Sequence, residues 1–377
     1  MSLARHLYVH VPFCARRCSY CDFSIAVRRE VPWRAFAQSI DRECRRREVG
    51  AQAASLRTVY LGGGTPSRLG ADGVTALLDT LRTHVEWADD AEVTLEANPE
   101  DVSVEAVRAW RATGINRLSI GTQSFDDAVL RWMHRVHDAD MARRAVSAAR
   151  EGGIDALSLD LIFATPEGIT RGWERDLQEV IALAPPHLSL YGLTIETHTP
   201  LGRWHARGTV EEASEVRYER EFLLAHDLLA AAGYEHYEVS NYARPAHHAV
   251  HNSAYWRGVP YIGLGPSAHG FDGASRRANV EAYAAWSAAL GRGDDPLGSV
   301  ERLNADNVLA ETVYLGLRTQ AGLSVSADEV AHVAKWREAG WVTVQETADD
   351  VRLICTAIGW LRLDALAADL TAFRSRS

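Results

Sequence analysis

Between Leu7 and Leu193 the chain alternates short β-prone runs with amphipathic helical stretches, and this alternation restricts the fold more than any other feature. Runs at Leu7 to Val11, Thr58 to Leu61, Ala91 to Glu96, Arg117 to Ile120, Ala156 to Leu161 and His187 to Leu193 predict strands. Between them, Trp33 to Val49, Val74 to His84, Val104 to Thr113, Ala142 to Glu151 and Trp173 to Ala184 carry apolar residues at helical spacing. Repeated strand–helix units build parallel sheets, whose ligand sites form on the loops that follow the strands. The pattern predicts an α/β fold, an incomplete (β/α)6 barrel. The chemically unusual residues of the sequence fall where such a fold would use them, at or just past the strand ends.

The first strand runs into Cys14, Cys18 and Cys21, spaced Cys-x3-Cys-x2-Cys on a short loop. Thiols this close can turn toward one centre. Held by three thiolates, a four-iron cubane keeps one iron open, and an open metal position is where substrate chemistry happens. Two other readings stand beside this one. Disulfides or inert thiols are disfavoured by the odd, clustered count. Zinc, with Cys44 or His10 as fourth ligand, lacks the second Cys or Cys/His pair usual in structural sites. Cys44 lies on the apolar stripe of the first helix with Phe36 and Ile40, which predicts a core residue.

Three further motifs carry chemistry. Gly62-Gly-Gly-Thr-Pro66 follows the second strand and lets backbone N–H groups approach a ligand; a plain tight turn is the alternative. Glu96, in Leu-Glu-Ala-Asn-Pro, is an acceptor suited to ribose hydroxyls or a cationic amine, with helix capping as the alternative. His251-Asn-Ser-Ala-Tyr255-Trp256 opens a stretch read as a loop rich in His and aromatics. A neutral imidazole there suits heme iron and the Tyr-Trp pair suits a porphyrin edge, although a lone His among aromatics is more often packed structure. His247 and His248 read as solvated neighbours.

At 377 residues and 47% hydrophobic content, the chain can bury one large domain and a smaller one. A net charge of −10 disfavours phosphate-backbone binding, so no nucleic-acid partner is expected. No run of 18 apolar residues and no charged-then-apolar leader is present, which predicts a protein that is not transmembrane and is cytoplasmic. Past the barrel, Ala213 to Ala232 reads as a long helix and Tyr234 to Val239 as a strand, and Gly263-Leu-Gly-Pro-Ser-Ala-His269 as a segment packed close to the barrel. Pro296 to Gly298 reads as a turn, Asn304 to Arg318 and Asp328 to Glu338 as helices, and the tail as a hairpin with Asp349-Asp350 in its turn. The expected units are 1–230 (barrel), 231–300 (a covering segment) and 301–377 (a winged-helix-like α+β domain). A DNA-binding use of that last unit is weakened by its lack of a basic cluster.

The string Tyr8-x-His-x-Pro-Phe-Cys14, with Cys18 and Tyr20-Cys21, resembles the signature of the radical S-adenosylmethionine family. It is most similar to the branch that holds the oxygen-independent coproporphyrinogen III dehydrogenases and the heme chaperones. The resemblance runs from about Leu7 to the C-terminus. It implies a [4Fe-4S] cluster on Cys14, Cys18 and Cys21, with S-adenosylmethionine chelating the open iron and yielding a 5′-deoxyadenosyl radical on reduction. It implies that Gly63, Gly64 and Thr65 meet the amino group of that cofactor. Glu96, Gln123, Arg135 and Asp160, with Tyr8 and Tyr20 as aromatic contacts, would bind it or a second copy.

His-Asn-x-x-Tyr-Trp resembles the motif that marks the heme chaperones and implies heme at His251, Asn252, Tyr255 and Trp256. The implied partners are heme and apo-hemoproteins, respiratory ones foremost, with a homodimer as one assembly. Two departures count against the dehydrogenase: Phe23 stands where it has a fourth cysteine, and thirteen residues precede Cys14 where it has a long segment. A third departure, Ala164-Thr165 in place of the family's Gly-Leu, bears on the adenosine turn. The expected function is a heme carrier; the dehydrogenase and a heme-modifying radical enzyme are the alternatives.

Overall fold

The structure, a computed structural model, describes residues 3–348 and 350–376. Six strands, β1 (Ala4–Val11), β2 (Ala53–Gly63), β3 (Trp87–Ala97), β4 (Arg117–Gln123), β5 (Ala156–Phe163) and β6 (His187–Gly192), pair in chain order and all run parallel. The arc stays open. On one side β6 pairs antiparallel with β8 (Asn241–Ala243), which pairs with β7 (Glu235–Glu238); on the other β1 pairs parallel with β9 (Ile262–Leu264). The first three strands start earlier than the sequence predicts because their lead-in residues, such as Arg57, Asp89 and Asp90, are exposed and carry no apolar signal, whereas β4, β5 and β6 begin where it predicts.

The outward face of the arc is apolar. Leu7, Val9, Val59, Leu61, Val93, Leu95, Leu118, Ile120, Leu157, Leu159, Leu188 and Leu190 share one buried cluster with Phe36, Ile40, Leu77, Trp110, Val146 and Leu177. The latter come from the helices Trp33–Arg46, Gly70–Arg82, Val104–Ala112, Ala139–Glu151 and Trp173–Leu183, which cover that face. Each fully buried Leu, Ile or Phe contributes about 1.5–3 kcal/mol, so this layer is the main source of stability. Cys44 is buried in the same cluster, as its place on the apolar stripe predicts.

The inward face is polar, since side chains alternate along a strand. His6, Tyr8 and His10 on β1 face Thr58 and Tyr60 on β2; Ser119, Asp160 and Ser158 follow around the arc, joined by hydrogen bonds of 2.9 to 3.3 Å. A short helix, Val250–Trp256, fills part of this interior, where the sequence reads as a loop. Its cap is tertiary: the backbone N–H groups of Val250 and His251 donate to Glu92 on β3, at 3.1 and 2.9 Å. No local side chain caps it, which is why the helix leaves no mark in the sequence.

Beyond the arc lies a second sheet of β10 (His269–Phe271), β11 (Ser275–Asn279) and β12 (Leu297–Arg302); of the stretch read as a turn, Pro296 to Gly298, the last two residues belong to β12. The C-terminal unit has the helix Ala305–Arg318, a three-stranded sheet of β13 (Leu323–Ser324), β14 (Val342–Glu346) and β15 (Val351–Cys355), and the helix Leu363–Arg374. The expected helix from Asp328 to Glu338 is two, Ala327–His332 and Ala334–Glu338. Asp349, read as part of the hairpin turn, lies outside the described residues. No helix among the described residues is long and apolar enough to cross a membrane.

One buried carboxylate fastens the later segments to the barrel. Glu43, on the first helix, accepts hydrogen bonds from Arg47 (2.7 Å), the Gly265 N–H (2.9 Å), Asn279 Nδ2 (2.7 Å) and Trp286 Nε1 (3.0 Å). Removing one partner of a buried, hydrogen-bonded ion pair costs about 3–5 kcal/mol. Glu43→Ala is therefore expected to lower unfolding free energy by about that amount in denaturant titration, and Glu43→Gln by less because it keeps part of the network. A loss under about 1 kcal/mol for Glu43→Ala would contradict this assignment.

Candidate functional site

A cavity of about 470 Å³ opens at the C-terminal ends of the parallel strands, within the size range of cofactor sites. Cys14, Cys18 and Cys21 line it together with Tyr20, Gly63, Gly64, Thr65, Glu96, Gln123, Arg135 and Asp160. Residues from β1 to β5 and from the loops after them thus meet in one place, as the strand-end rule requires. Tyr8 does not line it. That ring lies one step further into the barrel, its OH 3.1 Å from His10 Nδ1 and its face against Tyr60. Arg16 lines the cavity from an exposed loop position, and Arg17 is exposed.

The thiols are shaped by local contacts. Phe13 and Cys14 pair with Ala26 and Val27, so the cysteine loop closes on itself. Cys14 is buried, 3.4 Å from Thr65 Oγ1. Burial pushes the Cys14 thiol up, partly offset by Thr65, and pushes Cys21 up to about 11. Protonated thiols of this kind ionise when a cation binds them. Arg135 supplies fixed positive charge: Nη1 lies 3.6 Å from Cys18 Sγ, and Nη2 donates to Asn98 Oδ1 (2.7 Å) and Gly121 O (2.9 Å). Its Nε is buried without a hydrogen-bond partner among the described residues.

These residues fit an iron–sulfur cluster. Each thiolate of a cubane binds a different iron, so the three sulfurs need to share a cavity rather than converge on one ion. Among the described residues no three His, Cys, Asp or Glu converge as a single ion would need. The fit therefore rests on the shared cavity, the three thiols and the cation beside Cys18.

The glycine run departs from its expected use. The Gly63 N–H donates to Glu96 Oε2 (2.9 Å) and the Gly64 N–H to Val11 O (2.8 Å), so neither is available to a ligand. What demands glycine is packing: at Gly63, with φ 111°, any Cβ would collide with the His10 ring, and at Gly64 with the Pro12 backbone. A cationic amine needs acceptors, and here Glu96 is one. Glu96 also accepts from Tyr60 OH at 2.8 Å and caps no helix. Burial raises Glu96 to about 7, against the pull of the Tyr60 and Gly63 hydrogen bonds; burial likewise raises Asp160 to about 6.

Residues that the sequence reading passed over complete the walls. Asn98 orients Arg135, Tyr191 reaches in from β6, and exposed Phe23 stands at the mouth. Asn98 belongs to the quoted Leu-Glu-Ala-Asn-Pro string, where its place just past a strand end was the available signal. Ala164 adopts φ 53°, the left-handed conformation that glycine favours, so the turn keeps its backbone form despite the Cβ. Neither Ala164 nor Thr165 lines the cavity.

The His251 motif lies elsewhere. His251 is 1% exposed and stacks on Tyr60 with ring centroids 4.9 Å apart. Both ring nitrogens are engaged, Nδ1 with Thr58 Oγ1 (2.7 Å) and Nε2 with Tyr255 OH (2.8 Å), and burial lowers its pKa to about 3. Tyr255 and Trp256 line a second cavity of about 930 Å³, bounded also by the second sheet and the C-terminal unit. Asn252 is half-buried and lines neither cavity. His247 and His248 are exposed, and His248 pairs with Glu235.

Residues 8–174 match the family model described as the radical SAM superfamily. The heme chaperone HemW of Escherichia coli is 40% identical over 70% of this chain and 69% of its own length. HemW of Mycobacterium tuberculosis is 36% identical over 97% of this chain and 94% of its own. A mouse mitochondrial protein, radical S-adenosyl methionine domain-containing protein 1, is 34% identical over 84% and 74%. The solved structure of Escherichia coli coproporphyrinogen III oxidase, HemN, superposes with a TM-score of 0.81 over 98% of this chain and 91% of that one. At 22% identity that likeness shows the fold alone. Matches at this identity across nearly the whole chain, on a barrel whose strand ends gather three cysteines, place the protein in the HemW heme chaperone family of the radical S-adenosylmethionine superfamily.

Proposed function

We propose that this chain is a heme carrier: it holds a [4Fe-4S] cluster on Cys14, Cys18 and Cys21, binds S-adenosylmethionine in the first cavity, and binds heme at the Tyr255–Trp256 element for transfer to apo-hemoproteins. The observation that carries this reading is the separation of two cavities by one stack, Tyr60 on His251, with the cysteines on one side and the aromatic pair on the other. The cluster, when bound, supplies an open iron that can take the methionine end of the cofactor and an electron to cleave it. Around it, Arg135 offsets negative charge, Glu96 and Asp160 accept from amine or ribose hydroxyls, and Tyr20 offers an aromatic face. Recipients are respiratory hemoproteins in this reading, and the carrier works in the cytoplasm.

A coproporphyrinogen dehydrogenase has the same fold, and the two are separated by activity. Anaerobically reconstituted protein is expected to bind hemin and to leave coproporphyrinogen III unchanged. Robust conversion to protoporphyrinogen IX would overturn the carrier reading. Serine at Cys14, Cys18 and Cys21 is expected to abolish iron–sulfur absorbance and acid-labile sulfide; retention of both would remove the cluster assignment.

Glu96 gives a pH signature. Below about 7 its carboxyl is protonated and is a weaker acceptor for amine N–H or ribose O–H donors; above that value it is ionised. Affinity for S-adenosylmethionine is therefore expected to rise as pH increases through neutrality. Glu96→Gln should flatten that profile and weaken binding about tenfold at pH 8, in line with the 1.5–3 kcal/mol of a charged hydrogen bond. An unchanged pH profile in the variant, by calorimetric titration, would exclude Glu96 from the cofactor site.

A further inference from the structure

The His251–Trp256 motif brings only its aromatic end to an open surface. Its histidine cannot serve as a metal ligand in this conformation, because both nitrogens are hydrogen-bonded and the ring is enclosed by Thr58, Tyr60 and Tyr255. The cleft walled by Tyr255 and Trp256 nevertheless contains another imidazole. His269 begins β10, where its backbone pairs with Ala278; it lines the same cleft, is exposed, and its imidazole makes no hydrogen bond or ion pair with any described residue.

The walls of that cleft have the chemistry of a porphyrin seat. Tyr255 meets Tyr261 edge to face at 4.6 Å, and Trp256 and Phe271 extend the aromatic surface. Leu303, Val308 and Leu315 add aliphatic wall. Four arginines line it, Arg257, Arg276, Arg277 and Arg352, against two carboxylates, Glu301 and Glu311. Arg276 is held by Glu311 (2.5 Å), Arg277 by Asp295 and Arg352 by Asp350, whereas Arg257 is exposed and pairs with no described residue. With the other three arginines neutralised by these partners, Arg257 is the one free to meet a heme carboxylate, which arginine binds in bidentate fashion. About 930 Å³ lies near the upper end of ordinary ligand pockets and gives room for a ligand of that size.

We propose that heme sits in this second cleft, with the His269 imidazole as its axial iron ligand and His251 as a positioning residue that fixes Tyr255 from behind. The assignment rests on the heme-carrier reading above and moves the iron ligand off the motif histidine. An exposed ligand at the mouth of an open cleft also suits handover, since a recipient's own ligand can reach the iron before His269 releases it. A neutral imidazole donates its ring nitrogen lone pair to iron, and no oxidant, reductant or leaving group is needed.

The test is a hemin titration of the full-length, cluster-loaded protein, read by absorbance and electron paramagnetic resonance. In His269→Ala the affinity is expected to fall at least tenfold and the imidazole-ligated signature to disappear, and free imidazole should restore that signature. His251→Ala should keep the imidazole signature, because its role is to hold Tyr255. If His269→Ala is poorly folded by its melting curve, His269→Gln carries the same test at similar side-chain size. A His269 variant with wild-type affinity and signature would overturn the seat while leaving the carrier reading intact, as would loss of the signature in His251→Ala alone. Failure of wild-type protein to bind hemin would overturn both.

Discussion

Polar side chains line the inside of a six-strand parallel arc, and burying such a group away from water is costly unless it is hydrogen-bonded. The short helix Val250–Trp256 answers part of that requirement. His251 completes the hydrogen bonding of Thr58, which also meets His6, and the helix N-terminus satisfies Glu92. Without that helix Thr58 would keep only His6 as a partner among the described residues, and Glu92 only Arg117 at 3.9 Å. The apolar outer layer stabilises the fold; the polar interior decides which segments may enter it.

The same interior joins the two cavities. Glu96, which lines the first cavity, accepts from Tyr60; Tyr60 stacks on His251; His251 bonds Tyr255, which lines the second cleft. Two sites that share no lining residue are therefore linked by a series of four side chains. Tyr60 and His251 stay neutral at physiological pH, because burial drives the tyrosine pKa well above its usual value and the histidine to about 3. Glu96 is the member of this series that burial brings near neutrality, at the end that lines the first cavity.

Much of this was legible in the sequence, for identifiable reasons. The strand–helix alternation is a local signal, so the arc, its covering helices and the gathering of Cys14, Glu96, Gln123 and Asp160 at strand ends could all be read from it. What escaped reading depends on partners distant in the chain. The helix at Val250–Trp256 is capped by Glu92, 158 residues away from Val250, and its own sequence offers no cap. Glu43 looks like a surface charge beside the stripe of Phe36, Ile40 and Cys44, yet Asn279 and Trp286 bury it. Gly63 and Gly64 looked like ligand-facing amides, but His10 and Pro12, from the neighbouring strand and the residue after it, account for the missing side chains. His269 was quoted as part of a glycine-rich string, and nothing local distinguishes its exposed imidazole from the enclosed one at His251.

In the proposed heme carrier, porphyrin and sulfonium cofactor occupy different cavities on the two sides of the Tyr60–His251 stack. The most direct measurement is hemin binding to the cluster-loaded protein at increasing concentrations of S-adenosylmethionine. Separate cavities predict one hemin per chain retained at saturating cofactor, with both ligands bound together. Displacement of hemin in proportion to S-adenosylmethionine, as competition for one cavity requires, would contradict it.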